Sequence, residues 1–123
     1  MRFMTLVKGP ETGTFPPKEL MDAIDHMAAE AGPILVETGG LAPSATGALI
    51  RIRAGKLSVT DGPFTETKEV VGGYAVLDLP SREAAVKWTE RFMRLHLDHW
   101  PGWEGVTELR QIWGPEDFGA PPA

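Results

Sequence analysis

Carboxylates and an aromatic ring cluster around a turn in the middle of the chain, where they could act on a small molecule. Asp61 ends a short alternating segment and is followed by Gly62 and Pro63, a pair typical of a turn. Phe64 and Glu66 come directly after this turn. A carboxylate in such a position can serve as a general base. We therefore predict catalytic roles for Asp61 and Glu66 and a substrate-binding role for Phe64.

The same residues also have a purely structural explanation. An aspartate before Gly-Pro can accept backbone hydrogen bonds in an Asx-turn without any part in chemistry. Glu66 alternates with Lys68, and charged side chains on a strand edge protect it from aggregation. At this point Asp61 and Glu66 are either site residues or parts of a turn and a solvated edge.

A second group of candidates combines imidazole and indole side chains. His96 and His99 are three residues apart on a predicted helix, so both rings lie on one helix face. Because imidazole exchanges protons near neutral pH, we predict that His99 is catalytic and that His96 binds substrate. Trp100 and Trp103 follow, and we predict that they form the apolar wall of a pocket. The alternative is that the tryptophans cap the core and the histidines face solvent.

Metal and cofactor sites receive little support from the sequence. The spacing of His96 and His99 would let both reach one metal ion, but there is no HExxH motif and cysteine is absent. No glycine-rich phosphate-binding motif is present, and no serine stands in a G-x-S-x-G setting. We predict neither a metal nor a cofactor.

Length and charge exclude several classes of protein. The chain has 123 residues, which is enough for one domain, with 12 Lys+Arg against 17 Asp+Glu and a net charge of −5. An acidic chain without a basic run is a poor candidate for nucleic-acid binding. No segment is apolar for long enough to cross a membrane, and the short apolar run at the N-terminus does not resemble a signal peptide. The absence of cysteine is consistent with a cytoplasmic location.

Apolar spacing predicts the order strand, helix, several strands, helix, strand. This order is typical of an α+β, ferredoxin-like split βαβ sheet with an inserted hairpin and two helices on one face. The predicted domain covers residues 1–113, and residues 114–123 form a C-terminal tail. The predicted strands are 2–8, 34–37, 48–53, 56–60, 70–79 and 106–113; the helices begin near residues 16 and 81, and residues 39–47 form a loop.

Strands 2–8 and 70–79 carry apolar residues on both faces, although two helices can cover only one face of the sheet. The simplest cover for the other face is a second copy of the chain, so we predict a homodimer joined through its sheets. Tyr74 lies on the face turned away from the helices, and we predict that it contacts substrate.

The residues after Thr60 resemble a known family. The run DGPFTETKE at 61–69, followed by Gly72, Gly73 and Tyr74, is similar to the DGPF group of the YCII-related family. Residues 40–44 and 48–53 match the same group, and the resemblance covers residues 1–113. It implies a dimeric α+β barrel built from ferredoxin-like halves, in a superfamily that includes lactone-processing enzymes and small oxygenases with pockets between sheet and helices.

The resemblance leaves two functions open. The first is a homodimeric small-molecule-binding protein or enzyme with a pocket near the Asp61 turn. The second follows from the frequent encoding of DGPF proteins beside, or fused to, extracytoplasmic-function sigma factors, and is a non-catalytic module that contacts such a factor. The chain departs from the group at the usual Gly-Glu-Gly-Leu loop, because Gly39, Gly40 and Leu41 follow Glu37 and Thr38. The acidic side chain of this loop is therefore displaced or missing.

Overall fold

The protein has an α+β fold in the computed structural model, which describes residues 1–64 and 69–119. Strands and helices follow the predicted order, and the predicted ferredoxin-like class is confirmed. The elements are β1 (Arg2–Gly9), α1 (Lys18–Ala31), β2 (Leu35–Gly40), β3 (Ala48–Arg53), β4 (Lys56–Asp61), β5 (Val70–Asp78), α2 (Arg82–His99) and β6 (Val106–Ile112).

Four strands form an antiparallel sheet in the order β2-β5-β1-β6, with β1 and β5 at its centre. In this order the two strands that each helix connects are separated by one other strand in the sheet, as in a split βαβ unit. Strands β3 and β4 pair only with each other among the described residues and form a separate hairpin. The sequence prediction of an inserted hairpin is therefore confirmed.

Strand alternation and helical spacing together build the core. Phe3 on β1 and Leu77 on β5 face each other in register and are almost completely buried. Helix α2 adds Ala85, and the partly buried Trp88 packs against the same cluster. The Ser81 hydroxyl accepts a hydrogen bond from the Ala84 backbone N–H and caps this helix, as residues of this type commonly do.

Helix α1 packs beside α2 and buries Leu20 and Met27. These two side chains are seven residues apart, two helical turns along one stripe. An ion pair of 2.5 Å between Arg91 and Glu30 joins the exposed sides of the two helices. No helix in the described part of the chain has the length and apolar character needed to span a membrane.

The opposite side of the four-stranded sheet, here called the open sheet face, carries Met4, Leu6, Tyr74 and Val76. These residues alternate with the core residues of β1 and β5, and they line up across the sheet as Met4 opposite Val76 and Leu6 opposite Tyr74. All four are only partly buried. The predicted two-sided apolar character of these strands is therefore present, while the dimer and the barrel stay predictions.

Strand β2 is longer than the sequence predicted. The prediction ended this strand at residue 37 and assigned 39–47 to a loop, which is wrong because β2 continues to Gly40. Gly39 pairs with Tyr74 and Gly40 with Gly73, so two glycines extend the sheet ladder instead of ending it. The C-terminal tail also has local structure, since Pro115–Asp117 forms a 3-10 turn.

Candidate functional site

Three connecting segments leave the four-stranded sheet at the same end. Gly9 at the end of β1 lies opposite Val70 at the start of β5, and Lys8 lies opposite Val106 at the start of β6. The segment after β1, the segment before β5 and the segment before β6 therefore begin or end side by side. The Trp100–Trp103 segment precedes β6 and so lies at this end, and the Asp61 turn is joined to the segment after β1 because Ser44 contacts both Glu11 and Phe64.

Backbone groups hold the Asp61 turn in place. The Gly62 N–H donates to the Gly47 carbonyl at 2.9 Å, and the Phe64 N–H donates to the Ser44 hydroxyl at 3.0 Å. Among the hydrogen bonds of the described residues, none involves the Asp61 carboxylate, and its side chain is exposed. Phe64 is half-buried, and Glu66 lies outside the described residues.

Ser44 is the anchor of this region, and sequence reasoning missed it. The carboxylate of Glu11 accepts hydrogen bonds from the Ser44 backbone N–H at 2.7 Å and from the Ser44 hydroxyl at 2.5 Å. These bonds, the hydroxyl first and the backbone N–H second, lower the pKa of Glu11 below its usual value. Ser44 is only 4% exposed, and its hydroxyl also receives the Phe64 N–H. One buried serine thus joins the loop after β1 to the Asp61 turn.

Aromatic rings follow one another from the middle of α2 to the start of β6. The ring centroids of Trp88 and Phe92 are 6.0 Å apart, and those of Phe92 and His96 are 4.8 Å apart. His96 then lies 4.8 Å from Trp103, which stacks on Trp100 at 5.7 Å. The series begins in the core, where the sequence placed Trp88 and Phe92, and ends at the surface with Trp100.

The two predicted site histidines have different surroundings. His96 is 6% exposed, and its Nδ1 lies 3.2 Å from the Phe92 carbonyl oxygen. Burial lowers the pKa of His96, and the contact with the Phe92 carbonyl opposes this effect only in part. The ring is therefore neutral at pH 7 and packs beneath Trp103. His99 is the last residue of α2 and is half-buried. In the described ranges, no three His, Asp or Glu side chains are grouped to hold a metal ion.

An open concavity of about 450 Å³ lies beside the Trp100–Trp103 segment. Trp100 and Trp103 line it together with residues of the loop after β1. Glu104 also contributes to the lining. The predicted substrate-binding residues Trp100 and Trp103 therefore border a cavity, whereas His96 lies below it. The full lining is Pro10, Thr12, Thr14, Trp100, Pro101, Gly102, Trp103 and Glu104.

Tyr74 belongs to a different place, the open sheet face, where it pairs with a carboxylate that sequence reasoning left unassigned. Its hydroxyl donates a hydrogen bond of 2.6 Å to Glu37. This bond, together with burial and the negative charge of Glu37, raises the pKa of Tyr74. The ring lies over Gly39, where a Cβ atom would stand 3.0 Å from it. Glu37 and Gly39 share one face of β2, so the Glu37 carboxylate lies on the same side of the sheet as the ring of Tyr74.

Comparison with known proteins gives a relative and a family. The relative, from Rhizobium meliloti (strain 1021) and described only as an uncharacterized protein, is 36% identical over 66 residues. The match covers 54% of this chain and 52% of the relative, so the chain spans about half the length of the curated relative it matches. The family model of the YCII-related domain matches residues 1–98. The chain therefore belongs to the YCII-related family.

Proposed function

We propose that the protein is a homodimeric small-molecule-binding protein whose pocket lies at the end of the sheet that carries the Asp61 turn and the Trp100–Trp103 segment. The observation that carries this is the position of the loop after β1, which contacts the Asp61 turn through Glu11 and Ser44 and also lines the concavity beside Trp100 and Trp103. It supports a shared rim for the exposed Asp61 carboxylate and the concavity lined by the two tryptophans.

The second copy of the chain is supported by apolar surface that the described elements leave uncovered. On the hairpin, Ile50 pairs with Val59 and Ile52 with Leu57, so all four side chains share one face. They are between 65% and 77% exposed. Met4, Leu6 and Val76 on the open sheet face are half-buried, and exposed apolar side chains grouped in this way are typical of a protein interface.

Two measurements test this function. Light scattering at micromolar concentration gives the mass in solution, and a stable monomer of 13.4 kDa would contradict the dimer. A thermal-shift screen against metabolites of different charge then tests binding. A true ligand raises the unfolding temperature further as its concentration increases, following the logarithm of that concentration above the Kd. We expect Asp61→Asn to weaken binding of this ligand and to leave the unfolding temperature without ligand unchanged. If the wild type and Asp61→Asn bind the ligand equally well, Asp61 is not part of the site.

The exposed hairpin also favours a second candidate function, contact with an extracytoplasmic-function sigma factor. In that case the apolar face of Ile50, Ile52, Leu57 and Val59 meets another protein rather than a second copy of this chain. Purified chain mixed with a candidate factor separates the two functions. A dimer that keeps its mass and takes up no sigma factor supports small-molecule binding, whereas a one-to-one complex supports the second candidate.

A further inference from the structure

The concavity beside α2 has a preformed aromatic wall. Trp103 is wedged at the start of β6, where a Cβ atom on Gly105 would lie 2.3 Å from the indole and one on Gly9 would lie 3.7 Å from it. A Cβ on residue 105 would overlap the ring, so Trp103 needs a glycine there, whereas one on residue 9 would be in ordinary contact with the ring. On its other side Trp103 meets the buried His96 at 4.8 Å. The indole is therefore fixed by packing, and little conformational freedom is lost when a ligand rests against it.

Trp100 extends this wall. Its ring stacks on Trp103 with centroids 5.7 Å apart and an angle of 22° between the planes. The Trp100 backbone N–H ends α2 by donating to the His96 carbonyl, and the Trp103 N–H donates back to the Trp100 carbonyl at 3.1 Å. These bonds close a tight turn that holds both indoles on the same side of the cavity.

The lining of the concavity carries a negative charge and no positive charge. Glu104 is the single charged residue among the eight that line the concavity, and the others are Trp, Pro, Thr or Gly. His96 beneath Trp103 adds no positive charge at pH 7, because burial lowers its pKa. The chain as a whole carries a net charge of −5. An anion would therefore meet repulsion here and find no cationic side chain in the lining.

Aromatic faces and a carboxylate are complementary to one class of ligand. The π-face of an indole is electronegative and attracts a cation placed above it, and tryptophan does so more strongly than the other aromatic residues. A weakly hydrated ammonium group with methyl or methylene substituents also gains from apolar contact with Pro10 and Pro101, whereas the Thr12 and Thr14 hydroxyls suit a polar substituent. We infer that the concavity lined by Trp100, Trp103 and Glu104 binds an organic cation of the substituted-ammonium class.

This inference rests on the proposed small-molecule-binding function and names the chemistry of its ligand. Choline and its neutral isostere 3,3-dimethylbutan-1-ol are the probes, because they share shape and differ in charge. Binding is measured by titration calorimetry and by tryptophan fluorescence on the full chain. We expect choline to bind at least about tenfold more tightly than the isostere and to bind more weakly as salt is added, because the partners are exposed to solvent.

Two site variants and two matched controls give the test its specificity. Trp100→Leu removes the outer ring, and we expect it to weaken choline binding roughly threefold to thirtyfold. Glu104→Gln removes the charge at constant shape, and we expect a roughly threefold to tenfold loss. Trp113→Phe and Glu116→Gln make similar changes beyond the other end of β6. We expect both controls to bind choline as the wild type does.

Several results would overturn the inference. Equal affinity for choline and the isostere would show that charge plays no part in binding. If neither probe binds, the concavity is not a site for an organic cation of this kind. Equal weakening by Trp113→Phe and Trp100→Leu would place any bound probe elsewhere. The proposed function fails separately: if choline does not bind but a neutral or anionic metabolite binds in the thermal-shift screen and depends on Asp61, small-molecule binding stands and only the inference of a cation is overturned.

Discussion

The backbone of Gly62 passes so close to Ser44 that a Cβ atom on residue 62 would lie 1.7 Å from the Ser44 carbonyl oxygen and 2.6 Å from its carbonyl carbon. Both neighbours are main-chain atoms, so no side-chain rotation can relieve the contact. The glycine of the Asp-Gly-Pro run is therefore required by the approach of two chain segments. This approach also aligns the Gly62 N–H with the Gly47 carbonyl.

We expect Gly62→Ala to destabilise the protein by about 2 kcal/mol or more, because the chain must move to make room for the methyl group. Urea denaturation followed by circular dichroism measures this change in the free energy of unfolding. Gly72→Ala is the control, since no atom lies within 4 Å of a Cβ placed there. A Gly62→Ala protein as stable as the control would contradict the close approach.

Glu11 gives the protein an acid-sensitive contact. Hydrogen bonds from Ser44 lower the pKa of Glu11 in the folded state, so the unfolded chain takes up this proton at a higher pH than the folded chain. The stabilisation is complete above the ordinary pKa of 4.5 and is lost as pH falls through the lower folded value. We expect Glu11→Gln to remove this part of the acid sensitivity, measured as stability between pH 6 and about pH 3. Glu19→Gln, on the exposed side of α1, should keep the wild-type slope.

His96 changes the stability in the same direction as Glu11, but nearer neutral pH. Burial lowers its pKa from the ordinary 6.5, so below pH 6.5 the unfolded chain binds a proton that the folded chain does not. Stability is therefore full above that pH and falls as the pH drops from 6.5 towards the folded pKa. We expect His96→Leu to lose this slope in denaturation measured between pH 7.5 and about pH 5. His99→Gln should retain it, and an unchanged slope in His96→Leu would show that His96 is not the group responsible.

The order of strands and helices along the chain, and the residues of the core, could be predicted from the sequence because both depend on local periodicity. Phe3, Leu77 and Trp88 occupy the positions that alternation and helical spacing assign to them. The contact between Glu11 and Ser44 could not be predicted, because it joins residues 33 positions apart in segments without any repeating pattern. Such a contact follows from the tertiary fold alone.

The functional roles of the site residues stay predictions. Residue types single out the Asp61 turn and the tryptophan segment, and the contacts of Ser44 with Glu11 and Phe64 join the turn to the segment after β1. The Glu37–Tyr74 pair was missed because Gly39 and Gly40 were interpreted as a loop. Once β2 is extended through these glycines, the side chain of Glu37 faces the ring of Tyr74 across two neighbouring strands.

Tyr74 is the single tyrosine of the chain, so its ionisation can be followed directly by ultraviolet absorbance. The hydrogen bond to Glu37 raises its pKa above the ordinary value of 10.0. We expect Glu37→Ala to lower the midpoint of this titration towards the ordinary value, since the acceptor and the negative charge are both removed. Asp78→Asn, on the same strand as Tyr74, should leave the midpoint unchanged. An identical midpoint in Glu37→Ala and the wild type would contradict the pair.

The exposed hairpin makes the clearest prediction about assembly. Ile52 is 77% exposed and lies opposite Leu57, which is 69% exposed, on a face that also carries Ile50 and Val59. A carboxylate in the middle of this face costs little in a monomer, where water reaches it, and a great deal in an interface that excludes water. We therefore expect Ile52→Asp to keep the wild-type circular dichroism spectrum and to shift the protein from dimer to monomer in light scattering.

Ser58→Asp is the matched control for this change. Ser58 pairs with Arg51, and strand alternation places both on the opposite, polar face of the hairpin. Ser58→Asp adds the same charge at an exposed position of the same hairpin, but on the polar face. We therefore expect this variant to remain dimeric. If both variants dissociate, net charge rather than the apolar face controls assembly. If Ile52→Asp stays dimeric and still binds the ligand found in the screen, the hairpin lies outside the interface and the open sheet face alone must join the two copies.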